Sequence, residues 1–115
     1  MCSQSVLNEI TSKVVQAAKD SLGDKLDKVI LYGSYARGDF NDESDIDIMV
    51  LADIPLEKRH EVFERNFLDI SSDLGLENDI LVSVHVTDCT TFYKFLDDLP
   101  FYMNVMKDGV ELYVS

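Results

Sequence analysis

The sequence predicts an α/β (α+β) domain in which short strands alternate with helices, and three observations carry that prediction. Four short apolar runs, Val29–Tyr32, Ile46–Leu51, Ile80–Val86 and Val110–Val114, read as strands. The segments between them repeat apolar residues at helical spacing. The 115 residues, 46% of them hydrophobic, suffice for one core and leave no room for a second substrate-binding domain.

The elements can be taken in order. A first helix is expected from about Ser5 to Leu22, with Val6, Ile10, Val14 and Ala17 or Ala18 on one stripe and Gly23 as its stop. Strand Val29–Tyr32 ends at Gly33, and Ser34 suits the N-cap of a following helix. Gly38, Asp39, Asn41 and Asp42 form a turn into the second strand, Ile46–Leu51. Asp53 and Pro55 begin a helix carrying Phe63, Phe67, Ile70 and Leu74, which Gly75 ends. After the third strand, Thr87 and Asp88 are each fair N-caps for a helix bearing Phe92, Phe95, Leu96 and Leu99. Pro100 restarts a short helix whose apolar side is Phe101, Tyr102, Val105 and Met106, and Gly109 releases the last strand. Phe92, Phe95, Phe101 and Tyr102 are read as core, and Tyr32 as half-buried packing. Tyr35, inside the motif turn, is read as meeting a nucleotide or a partner.

The chemistry sits in the run from Leu31 to Val50. Strand alternation sends Asp45 and Asp47 to one side while Ile46, Ile48 and Val50 enter the core. Two adjacent carboxylates suit a hard cation such as Mg²⁺, which takes one or two protein carboxylates and completes its shell with water and substrate phosphates. Ahead of them, Gly33 allows close approach to the backbone, Ser34 and the first helical amides face an anion, and Arg37 offers a fork of donors to phosphate oxygens. Taken separately, Gly-Ser is ordinary in turns and Asp-x-Asp is ordinary on acidic faces. It is their spacing within a strand, turn and strand that points to a nucleotide with a divalent metal.

Gly33-Ser34, ten residues, then Asp45-x-Asp47 resembles the signature of the nucleotidyltransferase superfamily that includes DNA polymerase beta. The tighter form, Gly-Ser-Tyr-Ala-Arg-Gly with Ser-Asp-Ile-Asp, resembles the minimal nucleotidyltransferases, the antitoxin half of HEPN/MNT toxin–antitoxin pairs. The resemblance implies a small mixed sheet flanked by helices, with Gly33, Ser34, Arg37, Asp45 and Asp47 binding the nucleotide. It also implies a third acid on a neighbouring strand, for catalysis and metal binding together with Asp45 and Asp47. Asp79, at the entry to the third strand, is the first choice, and Glu77 is the alternative; Ser83 and His85 continue their face. Two histidines, His60 and His85, cannot build a zinc site, so His85 reads as structural or partner-facing.

The activity that the resemblance implies is Mg²⁺-dependent transfer of AMP from ATP to a tyrosine of a partner HEPN ribonuclease toxin. Two alternatives are a non-catalytic module that masks the partner and an enzyme acting on small molecules in the manner of aminoglycoside nucleotidyltransferases. The net charge of −12, with 10 basic residues among 22 acidic ones, argues against holding a nucleic-acid backbone and fits a basic protein partner, while the lack of room for an acceptor-binding domain favours a protein partner or a homo-oligomer. Cys2 and Cys89 give neither a disulfide framework nor a metal-ligand spacing. With no apolar run of membrane-spanning length and no signal peptide, the expected location is the cytoplasm.

Overall fold

The computed structural model describes residues 3–115, so Cys2 lies outside the described residues. In chain order the elements are α1 (Gln4–Leu22), β1 (Leu26–Tyr32), α2 (Ser34–Arg37), β2 (Ile46–Ala52), α3 (Arg59–Asn66), α4 (Leu68–Asn78), β3 (Val82–Asp88), α5 (Cys89–Lys94), α6 (Pro100–Asp108) and β4 (Val110–Val114). The sheet order is β3-β2-β1-β4. β1 runs antiparallel to β2 and to β4, whereas β2 and β3 are parallel and joined by the α3–α4 crossover. The mixed sheet expected from the sequence is therefore present. Among the described residues no helix is long and apolar enough to cross a membrane.

Strand alternation divides the core between the two sheet faces. Val29, Leu31, Ile46, Ile48, Val50, Val82 and Val84 pack with Ile10 and Val14 of α1, with Phe67, and with Leu74 of α4. Ile30, Tyr32, Met49 and Leu51 pack on the other face with Phe92 of α5 and Val105 of α6. Each of these apolar side chains is worth about 1.5–3 kcal/mol when fully buried, so both faces contribute to stability. α5 and α6 are short, however, and the second face stays partly open where Asp47 emerges between Ile46 and Ile48.

Several helical expectations need correction. The helix predicted from Asp53 to Gly75 is a short 3₁₀ turn, Leu56–Lys58, followed by α3 and α4, which are separated at Phe67 (φ −126°, ψ −21°). Phe67 is fully buried, so it seats in the core at the point where the helix axis breaks. Gly75 does not end α4. The chain continues to Asn78 and stops on Asp79 in the left-handed region (φ 51°, ψ 48°), with the Ile80 amide donating to the Gly75 carbonyl at 3.1 Å. Gly75 is there for space, since a Cβ would lie 2.7 Å from the Ile80 carbonyl oxygen. The helix expected to run on to Leu99 stops at Lys94, leaving Phe95 and Leu99 37% and 43% exposed. Phe92 is core as predicted, Tyr102 is partly buried against it, and Phe101 is exposed. Tyr35 is also reversed: it is buried and stacked on Phe40, with ring centroids 4.4 Å apart, and so anchors the motif turn from below.

Of the two N-cap candidates before α5, Asp88 does the capping. Its Oδ2 accepts from the Thr91 amide at 2.9 Å, and Arg59 Nε lies 3.9 Å from Oδ1, which has no hydrogen bond among the described residues. Burial pushes the Asp88 carboxyl up, but the Thr91 hydrogen bonds and the Arg59 charge outweigh it and leave it below the usual carboxylate range. A depressed folded-state value means that the ionised cap stabilises the fold above the unfolded value, about 3.9, and loses that contribution as pH falls through the folded value. Asp88→Ala is expected to cost about 1–2 kcal/mol at neutral pH, with the gap from wild type narrowing below about pH 4 in urea melts. A gap independent of pH would assign the loss to packing instead.

Candidate active site

The site is built where β1 hands over to α2 and β2 enters the sheet. Tyr32 pairs with Asp47 across β1 and β2, and Asp47 pairs with Ser83 across β2 and β3. This row places Tyr32, Asp47 and Ser83 side by side on the second face, with Met49 and His85 as the next pair along. Gly33 follows Tyr32 with φ 77° and ψ −157°, a region essentially reserved for glycine. The turn and the carboxylate meet at this point: a Cβ on Gly33 would lie 2.6 Å from Asp47 Oδ2. Only a glycine lets this carboxylate sit against the turn.

α2 is a single turn. The amides of Ala36 and Arg37 both donate to the Gly33 carbonyl at 3.1 Å, and Gly38 closes the turn in the left-handed region (φ 87°, ψ 6°). Gly33, rather than Ser34, is the N-cap. Ser34 is the first helical residue, because the extended, positive-φ backbone needed ahead of the turn is one that serine rarely adopts. Its hydroxyl makes no hydrogen bond among the described residues, which leaves it available to an incoming phosphate. Arg37 is exposed and pairs with Asp39 at 3.1 Å. An exposed pair of this kind contributes about 0–1 kcal/mol, so the guanidinium can turn to a phosphate at little cost.

Electrostatics mark Asp47 as the strained member of the site. Burial raises its carboxyl above the usual range and the Asp45 charge raises it further, while His85 and Arg37 pull it back. The Tyr32 hydroxyl is pushed up by burial and by Asp47, so it stays protonated. Crowded carboxylates facing a partly open surface are relieved by a cation, and Asp45 with Asp47 matches the one or two protein carboxylates that Mg²⁺ uses.

Among the described residues the structure does not gather a third acid there, and no group of three His, Cys, Asp or Glu side chains among them could hold a metal ion. Asp79 caps α4 and lines a surface groove with Ser71, Gly75 and Leu76, while the exposed Glu77 extends its charge toward Lys13 of α1. β3 starts two residues later than expected, at Val82, and its register sets Ser83 beside Asp47. Strand alternation alone groups Ser83 with His85 on one face, but only the pairing register brings them to Asp47. His85 is exposed and lies 6.1 Å from the Tyr32 ring, centroid to centroid.

A parallel and antiparallel mixed sheet with a Gly-Ser turn against paired carboxylates defines a class of phosphoryl-transfer domain, and comparison with known proteins gives the family. The nucleotidyltransferase domain family matches residues 11–111. An inferred protein adenylyltransferase of Methanocaldococcus jannaschii is 37% identical over 95 residues, covering 82% of this chain and 92% of the relative. A crystal structure of a toxin–antitoxin with AMP-PNP is 25% identical, with a TM-score of 0.53 over 91% of this chain and 73% of that one. The fold is shared with a structure of a tri-AMPylated Shewanella oneidensis HEPN toxin in complex with MNT antitoxin, at 22% identity and a TM-score of 0.50, covering 94% of this chain and 72% of that one. The chain belongs to the nucleotidyltransferase family, as a minimal nucleotidyltransferase.

Proposed function

We propose that this protein transfers AMP from ATP to a tyrosine hydroxyl of a HEPN-type ribonuclease toxin and thereby acts as its antitoxin. The observation that carries this reading is the fit of the Asp47 carboxylate against the Gly33 turn, which joins a phosphate cradle to a cation site in one place. The toxin and its AMPylation belong to the structural relatives, and the protein acceptor to the M. jannaschii relative. The net charge of −12 supports a protein acceptor over a nucleic-acid one, whose phosphates such a chain repels.

In this reading Ser34 and the turn amides hold the outer phosphates, and Arg37 leaves Asp39 to stabilise negative charge on the triphosphate. Asp45 and Asp47 would hold Mg²⁺, which when bound neutralises charge on the reacting phosphate and the departing pyrophosphate. The acceptor oxygen forms a bond to the α-phosphorus as the bond from that phosphorus to the bridging oxygen breaks, and pyrophosphate leaves with the electron pair. The acceptor's proton must go to a base. His85, which the β2–β3 register places on the same sheet face as Asp47, one pair along from Ser83 on that face, offers an imidazole nitrogen for that role.

That no third acid joins Asp45 and Asp47 among the described residues favours one other reading, a module that keeps the fold to mask its partner without catalysis. Transfer of label from α-³²P-ATP in host lysate, with and without Mg²⁺, separates the two. AMP transfer predicts one labelled small protein, dependent on Mg²⁺, with the label released as tyrosine-linked AMP. A folded protein that co-purifies with a toxin but labels nothing supports the masking reading instead.

A further inference from the structure

Beside the Gly33 turn lies a cleft of about 210 Å³, lined by Tyr32, Gly33 and Arg37 on one side and by Phe101, Asn104 and Asp108 of α6 on the other. This is smaller than the roughly 300 Å³ at which whole small-molecule sites begin, so it suits one planar part of a nucleotide rather than all of it. Spacings of three and four residues put Phe101, Asn104 and Asp108 on one face of α6. The helix is held firmly beneath that face. Val105 is 1% exposed against Ile30 and Tyr32, and at Gly109 an added Cβ would come within 2.5 Å of Ile30 Cγ2.

A helix so well seated nevertheless leaves Phe101 51% exposed, edge-on to Tyr32 at 5.6 Å and 78°. Tyr32 therefore supports the Phe101 ring in a near-perpendicular contact while half of Phe101 stays open to the cleft. Asn104 makes no side-chain hydrogen bond among the described residues, so its amide has both a donor and an acceptor to offer. That pair matches adenine, whose amino group donates and whose neighbouring ring nitrogen accepts; guanine offers two acceptors in the corresponding place. Asp108 is a carboxylate, which repels phosphate and accepts hydrogen bonds from ribose hydroxyls. The α6 side of the cleft therefore disfavours the triphosphate, leaving that to Ser34 and Arg37.

We propose that this cleft is the nucleobase subsite, with Phe101 as the stacking platform and Asn104 as the reader of adenine. The inference rests on the nucleotide reading of the Gly33 turn and extends it to the choice of base. Calorimetric binding of Mg-ATP, Mg-GTP and Mg-tripolyphosphate to wild type, Phe101→Ala, Phe101→Trp and Asn104→Ala tests it. Phe101→Ala is expected to weaken Mg-ATP on the order of tenfold while leaving tripolyphosphate unchanged. Phe101→Trp should restore ATP affinity, and Asn104→Ala should bring ATP and GTP closer to equal. Circular dichroism and thermal melts of each variant report whether it folds. A folded Phe101→Ala that binds ATP like wild type, or that loses ATP and tripolyphosphate in equal measure, overturns the assignment. Wild type that binds neither ligand overturns the phosphate cradle itself and this subsite with it.

Discussion

Gly33→Ala is expected to abolish Mg-ATP binding while leaving most of the protein folded. Two costs combine at this position. An L-residue at φ 77° and ψ −157° carries about 1–3 kcal/mol of backbone strain, and the new methyl would lie 2.6 Å from Asp47 Oδ2. The clash falls on the end of a side chain, so it is the carboxylate that moves away from the turn, and the cation site opens. Against a typical total of about 5–15 kcal/mol, the strain alone leaves the fold populated. Gly38→Ala is the matched control, since Gly38 has φ 87° but open space around its missing Cβ. Urea melts should show both variants losing about 1–3 kcal/mol, with only Gly33→Ala losing nucleotide. Equal loss of binding in the two would mean that backbone strain, rather than the approach of Asp47, governs the site.

The geometry of the candidate site is more legible in the sequence than the helices around it, for physical reasons. Asp45-x-Asp47 can be read because strand alternation is a local rule and the apolar partners Ile46, Ile48 and Val50 fix which face is which. The role of Gly33 can be read because close approach leaves a glycine in the sequence. The division of α3 from α4 at Phe67 leaves no such mark, since the apolar spacing of Phe63, Phe67, Ile70 and Leu74 is compatible with one helix or two. Gly75 misleads for a related reason: glycine serves both as a stop and as a gap for a crossing carbonyl, and only the position of the Ile80 carbonyl decides. Asp79 takes the left-handed cap at the true end, a conformation that aspartate tolerates better than most residues. The aromatic residues show the limit of periodicity most clearly. Tyr35 is buried because Phe40, five residues on, folds back over it, and Phe101 is exposed because α6 seats on Val105. Both outcomes depend on tertiary packing. Likewise, Ser83 stands beside Asp47 through a β2–β3 register that no single strand encodes.

Asp47→Asn should separate function from folding in the opposite sense to Gly33→Ala. The carboxyl of Asp47 is held above the usual range by burial and by Asp45, so ionising it opposes the fold at neutral pH. A raised folded-state value contributes stability that is fully present below the unfolded value, about 3.9, and is lost as pH rises through the folded value. The neutral amide removes that loss. Asp47→Asn should therefore melt at or above the wild-type temperature at pH 7, and the two curves should converge below about pH 4. Catalysis should move the other way. Losing a ligand that neutralises transition-state charge removes several kcal/mol, a fall on the order of 10²–10³-fold in AMP transfer. Mg-ATP at about 100 times its Kd should raise wild-type stability by about 2.7 kcal/mol and leave the variant nearly unmoved. A variant that is clearly destabilised yet still stabilised by Mg-ATP would show that Asp47 holds the sheet together and that the cation sits elsewhere. A stable variant that no longer responds to Mg-ATP would place the conflict between charge and burial at the site itself, with the cation as its resolution.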